Sequence, residues 1–442
     1  MSGIRTVIVG AGSHFTLGLL GDFLKAGDLW GSELVLMDIN EERLRIMEKI
    51  VKKAVKSRGA DLRILATRNL EEAIENTDFV IITIRSGGLE TLKKIIEIPL
   101  RHGTVEVVGD TVGPSGILKG LVEIPAIVDI ALKIRDAAPN ALVMNFTNPM
   151  TPICEAIEKA AHLRAVGLCH GVHHIRRLAS KILKLPDVDK VEVEAAGINH
   201  FTWTVNIEYE DTSIYDDFMD SLFSSENDEA IVKHPYLIGR ELCSAFGVPP
   251  TLSDRHTSEF FHYLYDWIND LKYGPILKRI SGYIEYEKKT LRKEVVEKEK
   301  RRMQNLLRMA EGREEIQIVP SGEYAVDIIS ALRNRKKIQL LAANVPNKGA
   351  LVNVSLDNFV EVPVQVSEEG IRSTRRFTLP RPITSWLNLH LEKFQLLVDG
   401  IIEKERNLIL QAMALDPLTP SPSKAERILT SFIERLSLQK LF

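Results

Sequence analysis

Cysteine is scarce: three in 442 residues, Cys154, Cys169 and Cys243. They are too few and too scattered for a disulfide framework, so they are expected to persist as thiols in a reducing compartment. No apolar run reaches the roughly 18 residues of a membrane span. An excess of either charge is also missing. The net charge is −3, and nothing in that balance calls for nucleic acid or an anionic membrane surface. The opening residues Met1 to Arg5 pass into a strand without room for a charged region, an apolar stretch and a cleavage site, so a cytoplasmic location is expected. Internal repeats and long disordered linkers are absent as well. Two domains docked through a substantial interface are the expectation.

What is present is an ordinary globular composition, 45% hydrophobic and 26% charged, arranged as alternating strands and helices. Arg5–Gly10 is a β-branched run ending in Gly10-Ala11-Gly12-Ser13. A helical stretch from Thr16 to Lys25 follows, then an apolar strand, Leu34 to Asp38, that ends in an acid. This is a βαβ unit with a nucleotide crevice at the strands' carboxyl ends. Gly10 and Gly12 allow the tight turn and close backbone approach that a pyrophosphate needs, and the helix after Ser13 offers free N–H groups. The third glycine of the fingerprint is replaced by Phe15, with Gly18 three residues later. Asp38 suits a ribose diol and repels a 2′-phosphate, so NAD is favoured over NADP.

Apolar strands continue at Leu62–Ala66, Phe79–Ile84, Ala141–Asn145 and Ala165–Leu168. The predicted fold class is α/β: a doubly wound parallel Rossmann-type sheet with a C-terminal α/β domain of mixed sheet plus helices, of the lactate/malate dehydrogenase kind. Residues 1–190 form the NAD-binding domain, and 191–442 a domain for substrate, metal site and oligomerisation. Tyr286–Arg313 reads as a solvated helix with one buried stripe. Two closing helices, Trp386–Ala414 and Ser423–Gln439, carry large apolar segments that suggest a homo-oligomer, dimer or tetramer.

The last parallel strand delivers Cys169 at its end, opening a stretch that runs through His170-Gly171-Val172-His173-His174 to His200. A thiolate and an imidazole brought together there make a metal site with open positions for water and substrate oxygens. A buried cysteine and a satisfied histidine are the plainer explanation. Asp110 sits in a glycine-rich loop, where it either touches substrate hydroxyls, orients a metal ligand or makes a turn. Asn145 and Asn148 precede Pro149, able to orient a sugar or nicotinamide, or, for Asn148, to cap a helix. Ser253-Asp254-Arg255-His256 gathers an acid, a guanidinium and an imidazole before an aromatic helix, and an N-cap explains it equally.

Taken together these motifs, with Thr83–Gly88, Asn199-His200-Phe201 and Gly322-Glu323-Tyr324, resemble glycoside hydrolase family 4, the NAD- and manganese-dependent glycosidases. The resemblance runs from Val7 to about Pro363. It implies that NAD takes a hydride from C3 of the sugar, that the C2 proton becomes acidic, that the glycosidic oxygen leaves by elimination, and that the hydride returns after water adds. The family is an exception to two-carboxylate glycoside hydrolysis. It implies a manganese ion on Cys169 and His200 and contacts from Asn148 to the sugar. Asp254 matches an acid near the sugar in the α-glycosidase branch, where other branches place a tyrosine as C2 base, and is assigned that role; His170 matches the position of a general acid. Asp110 is carried over as a further catalytic residue, and Arg85 as part of the cofactor site.

His170-Gly171-Val172 resembles the α-glucuronidase pattern, so the resemblance implies an α-glucuronide as substrate. α-Glucosides, α-galactosides and α-galacturonides are the alternatives within the family. A uronic acid needs a cation for its carboxylate. His173, His174, Arg85, Arg240 and Arg255 are the choices, although the two histidines can also simply begin a helix. Lys119 stands where many members have an arginine. Outside the family, a 2-hydroxy acid dehydrogenase shares the fold and the NAD crevice but needs no Cys-His metal pair, and an NAD-binding sensor without activity is the third reading.

Overall fold

The computed structural model describes residues 3–442. Its main sheet has twelve strands: β1 (Arg5–Val9), β2 (Ser32–Met37), β3 (Leu62–Thr67), β4 (Phe79–Ile82), β5 (Leu142–Asn145), β6 (Arg164–Gly167), β7 (Val191–Ile198), β8 (Phe201–Tyr209), β9 (Thr212–Ser213), β12 (Ile338–Pro346), β13 (Phe359–Ser367) and β14 (Gly370–Arg372). A small hairpin, β10 (Ile284–Glu285) with β11 (Thr290–Leu291), stands apart. The order is β3-β2-β1-β4-β5-β6-β12-β13-β7-β8-β9, with β14 beside β13. The first six strands pair in parallel, as their continuous apolar sequences require when both faces are covered by helices.

At β6 the sheet does not end. Gly167 has no side chain, and a Cβ there would lie 2.7 Å from Met150 Sδ and 2.9 Å from Asn344 Cβ. That bare backbone lets β12 approach antiparallel through Asn344. Strands β13, β7, β8 and β9 extend it in the same alternating sense. One sheet therefore runs through both halves of the chain, and residue 190 precedes a strand that belongs to it.

Helices α1 (Phe15–Lys25) and α2 (Glu41–Arg58) cover the first strands. Asn40 caps α2 by accepting from Arg43 N–H at 3.0 Å, two glutamates follow in the first turn, and Gly59 closes the helix at φ 61°. The basic-acidic helix spans Lys293–Glu311, shorter than the sequence suggests because β10 and β11 occupy the residues before it. It is not freely solvated. Leu306, Met309 and Ala310 are buried, Arg43 pairs with Glu299 at 2.9 Å, and Lys53 Nζ donates to the Ala310 carbonyl at 2.7 Å.

The first closing helix breaks after Ile402, resumes as Arg406–Leu415, and is followed by Pro422–Leu436. Gly400 permits the fold-back, since a Cβ there would lie 2.6 Å from Ile409 Cγ1. The apolar faces of these helices, including Leu397, Ile409, Met413, Leu429 and Phe432, are buried in the same core as the Gly113–Ala137 and Met150–Ala161 helices. Packing within one chain thus accounts for the apolar segments that had suggested an oligomer. No helix among the described residues is long and apolar enough to cross a membrane.

Glu155 ties the Met150–Ala161 helix to β13. Its Oε1 accepts from Phe359 N–H at 3.2 Å, while Oε2 is buried without a partner. Burial pushes this carboxyl up to about 8, against 4.5 for an ordinary glutamate. The folded chain keeps the proton where the unfolded chain releases it, so stability falls as pH rises between those two values. Each tenfold difference in proton affinity between the two states is worth ~1.4 kcal/mol. Glu155→Gln should therefore be more stable than the parent by a few kcal/mol at pH 8 and by little at pH 4. Urea unfolding at both pH values checks this; a difference independent of pH contradicts it.

Candidate active site

The carboxyl ends of the parallel strands form one rim. At β1, Gly10 has φ 90°, and a Cβ would lie 2.5 Å from the Thr83 carbonyl oxygen. Gly12 N–H donates to Asp38 Oδ2 at 2.8 Å, and a Cβ on Gly12 would lie 2.7 Å from that oxygen. Asn40 N–H donates to Oδ1 at 2.8 Å, so both carboxylate oxygens are oriented yet keep lone pairs for a diol. Ser13 Oγ accepts from Phe15 N–H at 3.3 Å, and His14 at the α1 N-cap offers no side-chain cap. The turn and helix terminus are those a dinucleotide pyrophosphate fits. Phe15 packs on Phe146 with ring centroids 4.9 Å apart, and Gly18 serves a different contact, described below.

Farther along the rim, Asp110, His200 and His256 bring their ligand atoms within 4.8 Å of one another. His200 reaches this position from a two-residue turn. Ile198 pairs with Phe201, leaving Asn199 and His200 to connect β7 and β8, with His200 at φ 66°. A left-handed conformation costs a β-carbon residue roughly 1–2 kcal/mol, and this one is held at a site rather than relieved by glycine.

Thr111 sets the tautomer. Its hydroxyl donates to Asp110 Oδ1 at 2.8 Å, an acceptor only, so the contact with His200 Nδ1 at 2.9 Å must have Nδ1–H donating. Nε2 of His200 is then left with its lone pair. Burial lowers the pKa of both His200 and His256, keeping them neutral and able to ligate. Burial alone would raise the Asp110 carboxyl, but the Lys119 cation and the hydrogen bond from the Thr111 hydroxyl hold the group well below the usual range.

Cys169 lies at the end of β6, outside that set of mutual distances. Burial, with Glu361 adding to it, pushes its thiol up, so a divalent cation is the group that would ionise it. Beneath it, Glu361 Oε2 accepts from Asn199 at 2.9 Å and from Asn344 at 3.1 Å, joining β12, β13 and the β7–β8 turn. Two imidazoles, a carboxylate and a nearby thiol form a donor set that suits a divalent ion.

Asn148 precedes a cis bond to Pro149 and does not cap the helix that follows. Its Nδ2 faces Asp110 Oδ2 at 3.5 Å, and its Oδ1 is buried without a partner, available to a ligand.

Other expectations change. Asp254, expected near the sugar, is 1% exposed, and its Oδ1 accepts from Gly239 N–H at 2.9 Å. Its carboxylate is committed to the N-terminus of the Leu237–Phe246 helix, which leaves it positioning the short helix that carries Arg255 and His256. His173 and His174 begin a helix. Burial lowers each to about 4, so neither supplies a cation for a carboxylate. Arg240 is paired with Asp228 at 2.5 Å, away from the cluster. Arg255 lies against Gly282 with Nε buried and unpartnered. Arg85 and Lys119 line a small cavity beside Asp110. Among the described residues, neither Arg85 nor Arg255 forms an ion pair. His170 Nδ1 meets Glu323 Oε1 at 2.7 Å.

The anchors of the site escaped the sequence reading. Glu259 Oε1 accepts from Val107, Val108 and Gly109 N–H at 2.6, 2.7 and 3.0 Å. Asp416 Oδ2 accepts from Gly113 N–H at 3.0 Å and from buried Lys393 Nζ at 2.6 Å. His390 joins Lys393 at 3.0 Å to the Phe260 carbonyl at 2.9 Å. The available signal was Lys393 itself, a charge on the apolar face of a helix. Glu259→Ala strands three buried N–H groups and should cost about 3 kcal/mol or more. Denaturant unfolding tests it, and a loss within experimental scatter contradicts the anchoring role.

Comparison with known proteins agrees with this geometry. A model of the family 4 glycosyl hydrolases matches residues 5–185, and one of the family 4 glycosyl hydrolase C-terminal domain matches 195–419. The chain is 29% identical to an alpha-galactosidase of Rhizobium meliloti over 97% of its own length and 86% of that protein. It is 26% identical to an alpha-galacturonidase of Bacillus subtilis over 98% and 97% of the two chains. A 6-phospho-alpha-glucosidase from gut microorganisms, solved with NAD and glucose-6-phosphate, superposes with a TM-score of 0.81 at 23% identity, covering 98% of each chain. A malate dehydrogenase from Plasmodium falciparum shares the fold at a TM-score of 0.54 and 12% identity, over 92% of this chain and 99% of its own. With a nucleotide turn, a metal-ligand cluster and family models matching both halves, the chain belongs to family 4 of the glycosyl hydrolases.

Proposed function

We propose that this glycosyl hydrolase cleaves α-glycosides of hexuronic acids, α-glucuronides above all, using NAD and a manganese ion. The observation that carries the choice of sugar is electrostatic. Lys119 is answered by Asp110 and Glu123, and Glu123 also lies within Coulomb reach of Arg85, but among the described residues neither Arg85 nor Arg255 has a carboxylate in direct contact. A C5 carboxylate would offer the two guanidiniums a direct bidentate partner, which a neutral sugar does not. Relatives named alpha-galacturonidase support the hexuronide class. They also favour α-galacturonides as a second reading, because a cation for the C5 carboxylate does not discriminate the C4 epimers.

A related 6-phospho-alpha-glucosidase has been solved with NAD and Mn2+. When bound, NAD would supply a reversible hydride acceptor for the sugar and the ion would supply Lewis acidity toward its oxygens. Gly10, Gly12 and Ser13 would hold the pyrophosphate, and Asp38 the ribose. His200, Cys169 and Asp110 would hold the ion, with His256 beside them. Asn148 presents both ends of its amide to sugar hydroxyls. Asp110 remains anionic and accepts hydrogen bonds. His170, exposed in the crevice, passes its Nε2 proton to the departing glycosidic oxygen. Asp254, offered by the family resemblance as C2 base, instead holds Arg255 and His256 in place.

Release of p-nitrophenol from α-glucuronide, α-galacturonide, α-glucoside and α-galactoside tests the proposal, with NAD, manganese and reductant each omitted in turn. Cleavage should be fastest on α-glucuronide and collapse on any omission. Arg85→Met and Arg255→Met should each lower kcat/KM for the uronide by about 10- to 100-fold, the size of one charge-assisted hydrogen bond, and leave a neutral glycoside within about threefold. Faster cleavage of a neutral sugar by the parent enzyme would overturn the choice of substrate.

A further inference from the structure

The segment Ile318–Glu323 has no regular secondary structure, yet its position is closely determined. Gly18 and Gly21, one turn apart on α1, form a groove for it. A Cβ on Gly18 would lie 2.9 Å from Ser321 Cβ, and one on Gly21 2.9 Å from Pro320 Cα. Ser321 N–H donates to the Gly18 carbonyl at 3.1 Å and to Asp22 Oδ2 at 3.2 Å. The Ser321 hydroxyl also donates to Asp22 Oδ2 and accepts from Glu323 N–H at 3.0 Å. Glu323, 7% exposed, then meets His170 Nδ1 at 2.7 Å.

We propose that Glu323, seated by the Gly18–Gly21 groove and the Asp22–Ser321 clamp, is the positioning residue that fixes the ring and tautomer of His170. This rests on the glycosidase reading above. A carboxylate only accepts, so the shared hydrogen is on Nδ1 and the working atom is the other ring nitrogen, Nε2. The electron pair freed when a base takes the C2 proton forms the C1–C2 double bond as the C1–O bond breaks, and the pair of that bond leaves with the glycosidic oxygen, which takes the Nε2 proton. The imidazole becomes neutral, with Nδ1–H still held by Glu323. The contact holds the ring in one orientation throughout and prevents it from flipping. The same helix that presents its N-terminus to the dinucleotide thereby aligns the residue that serves the leaving group. This gives Gly18 a purpose that its failure to complete the nucleotide fingerprint left open.

Two readouts test the device. The first is the tautomer of neutral His170, read from 15N shifts of the histidine-labelled holoenzyme at alkaline pH, with His170→Asn to assign the signal. The parent should show Nδ1–H alone, and Glu323→Ala should admit the Nε2–H form, whereas Glu323→Gln, still an acceptor, should retain Nδ1–H. The second is kinetic. Glu323→Ala should lower kcat about 10- to 100-fold with KM within about threefold, and more steeply for glycosides with poorer leaving groups. Gly21→Ala should show a weaker form of both effects, and the double variant should be no worse than Glu323→Ala. An Nε2–H tautomer in the parent, or equal kcat losses across leaving groups, would overturn the proposal. If the parent cleaves no glycoside, the functional reading fails while the tautomer still reports on the dyad.

Discussion

Three backbone N–H groups, of Val107, Val108 and Gly109, converge on one buried carboxylate oxygen of Glu259, and the active site depends on that convergence. The loop carrying Asp110 is irregular and buried, so its N–H groups have no ladder to satisfy them. Their acceptors come from far along the chain: Glu259 for the first part of the loop, Asp416 for Gly113. Glu259 lies three residues after His256, so one carboxylate sets the distance between Asp110 and His256. Lys393, buried against Asp416, pairs with that second carboxylate, and His390 ties the pair to the Phe260 carbonyl.

Continuity of the sheet makes this possible. The bare backbone of Gly167 admits β12, and β12 brings β13, β7 and β8 into line, so that the β7–β8 turn places His200 over the ends of the parallel strands. Cys169, Asn199 and Glu361 then meet beneath the cluster. The nucleotide crevice and the metal-ligand cluster are two stretches of one rim, which suits a glycosidase that uses both a cofactor and an ion.

Much of the parallel half was legible from residues alone, because its signals are local. Gly10, Gly12 and Asp38 announce their roles by spacing within one βαβ unit, and Asn148 stands at a strand end where a ligand is expected. The rest depended on contacts that spacing does not disclose, from 15 residues apart for Asp254 and Gly239 to 152 for Val107 and Glu259. Asp254 and Glu259 are both acids near an aromatic helix, and only the fold reveals that one caps the Leu237–Phe246 helix while the other holds the Asp110 loop. His173 and His174 suggested cations, but burial makes them neutral. Gly18 looked like a displaced fingerprint glycine, whereas its purpose is close contact with Ser321. His256 was visible as a motif member, yet nothing in its spacing disclosed that it joins His200 at 4.2 Å between ring centroids.

The choice of sugar rests finally on charge. Glu259 is answered by backbone donors and Asp416 by Lys393, while neither Arg85 nor Arg255 forms an ion pair among the described residues, and the proposal of an anionic sugar stands on that difference. Calorimetric titration of the enzyme, saturated with NAD and manganese, with glucuronate and with glucose measures it without turnover. Glucuronate should bind at least about tenfold more tightly, the equivalent of ~1.4 kcal/mol, with the advantage shrinking as salt is added. Equal affinity for the two sugars would contradict it.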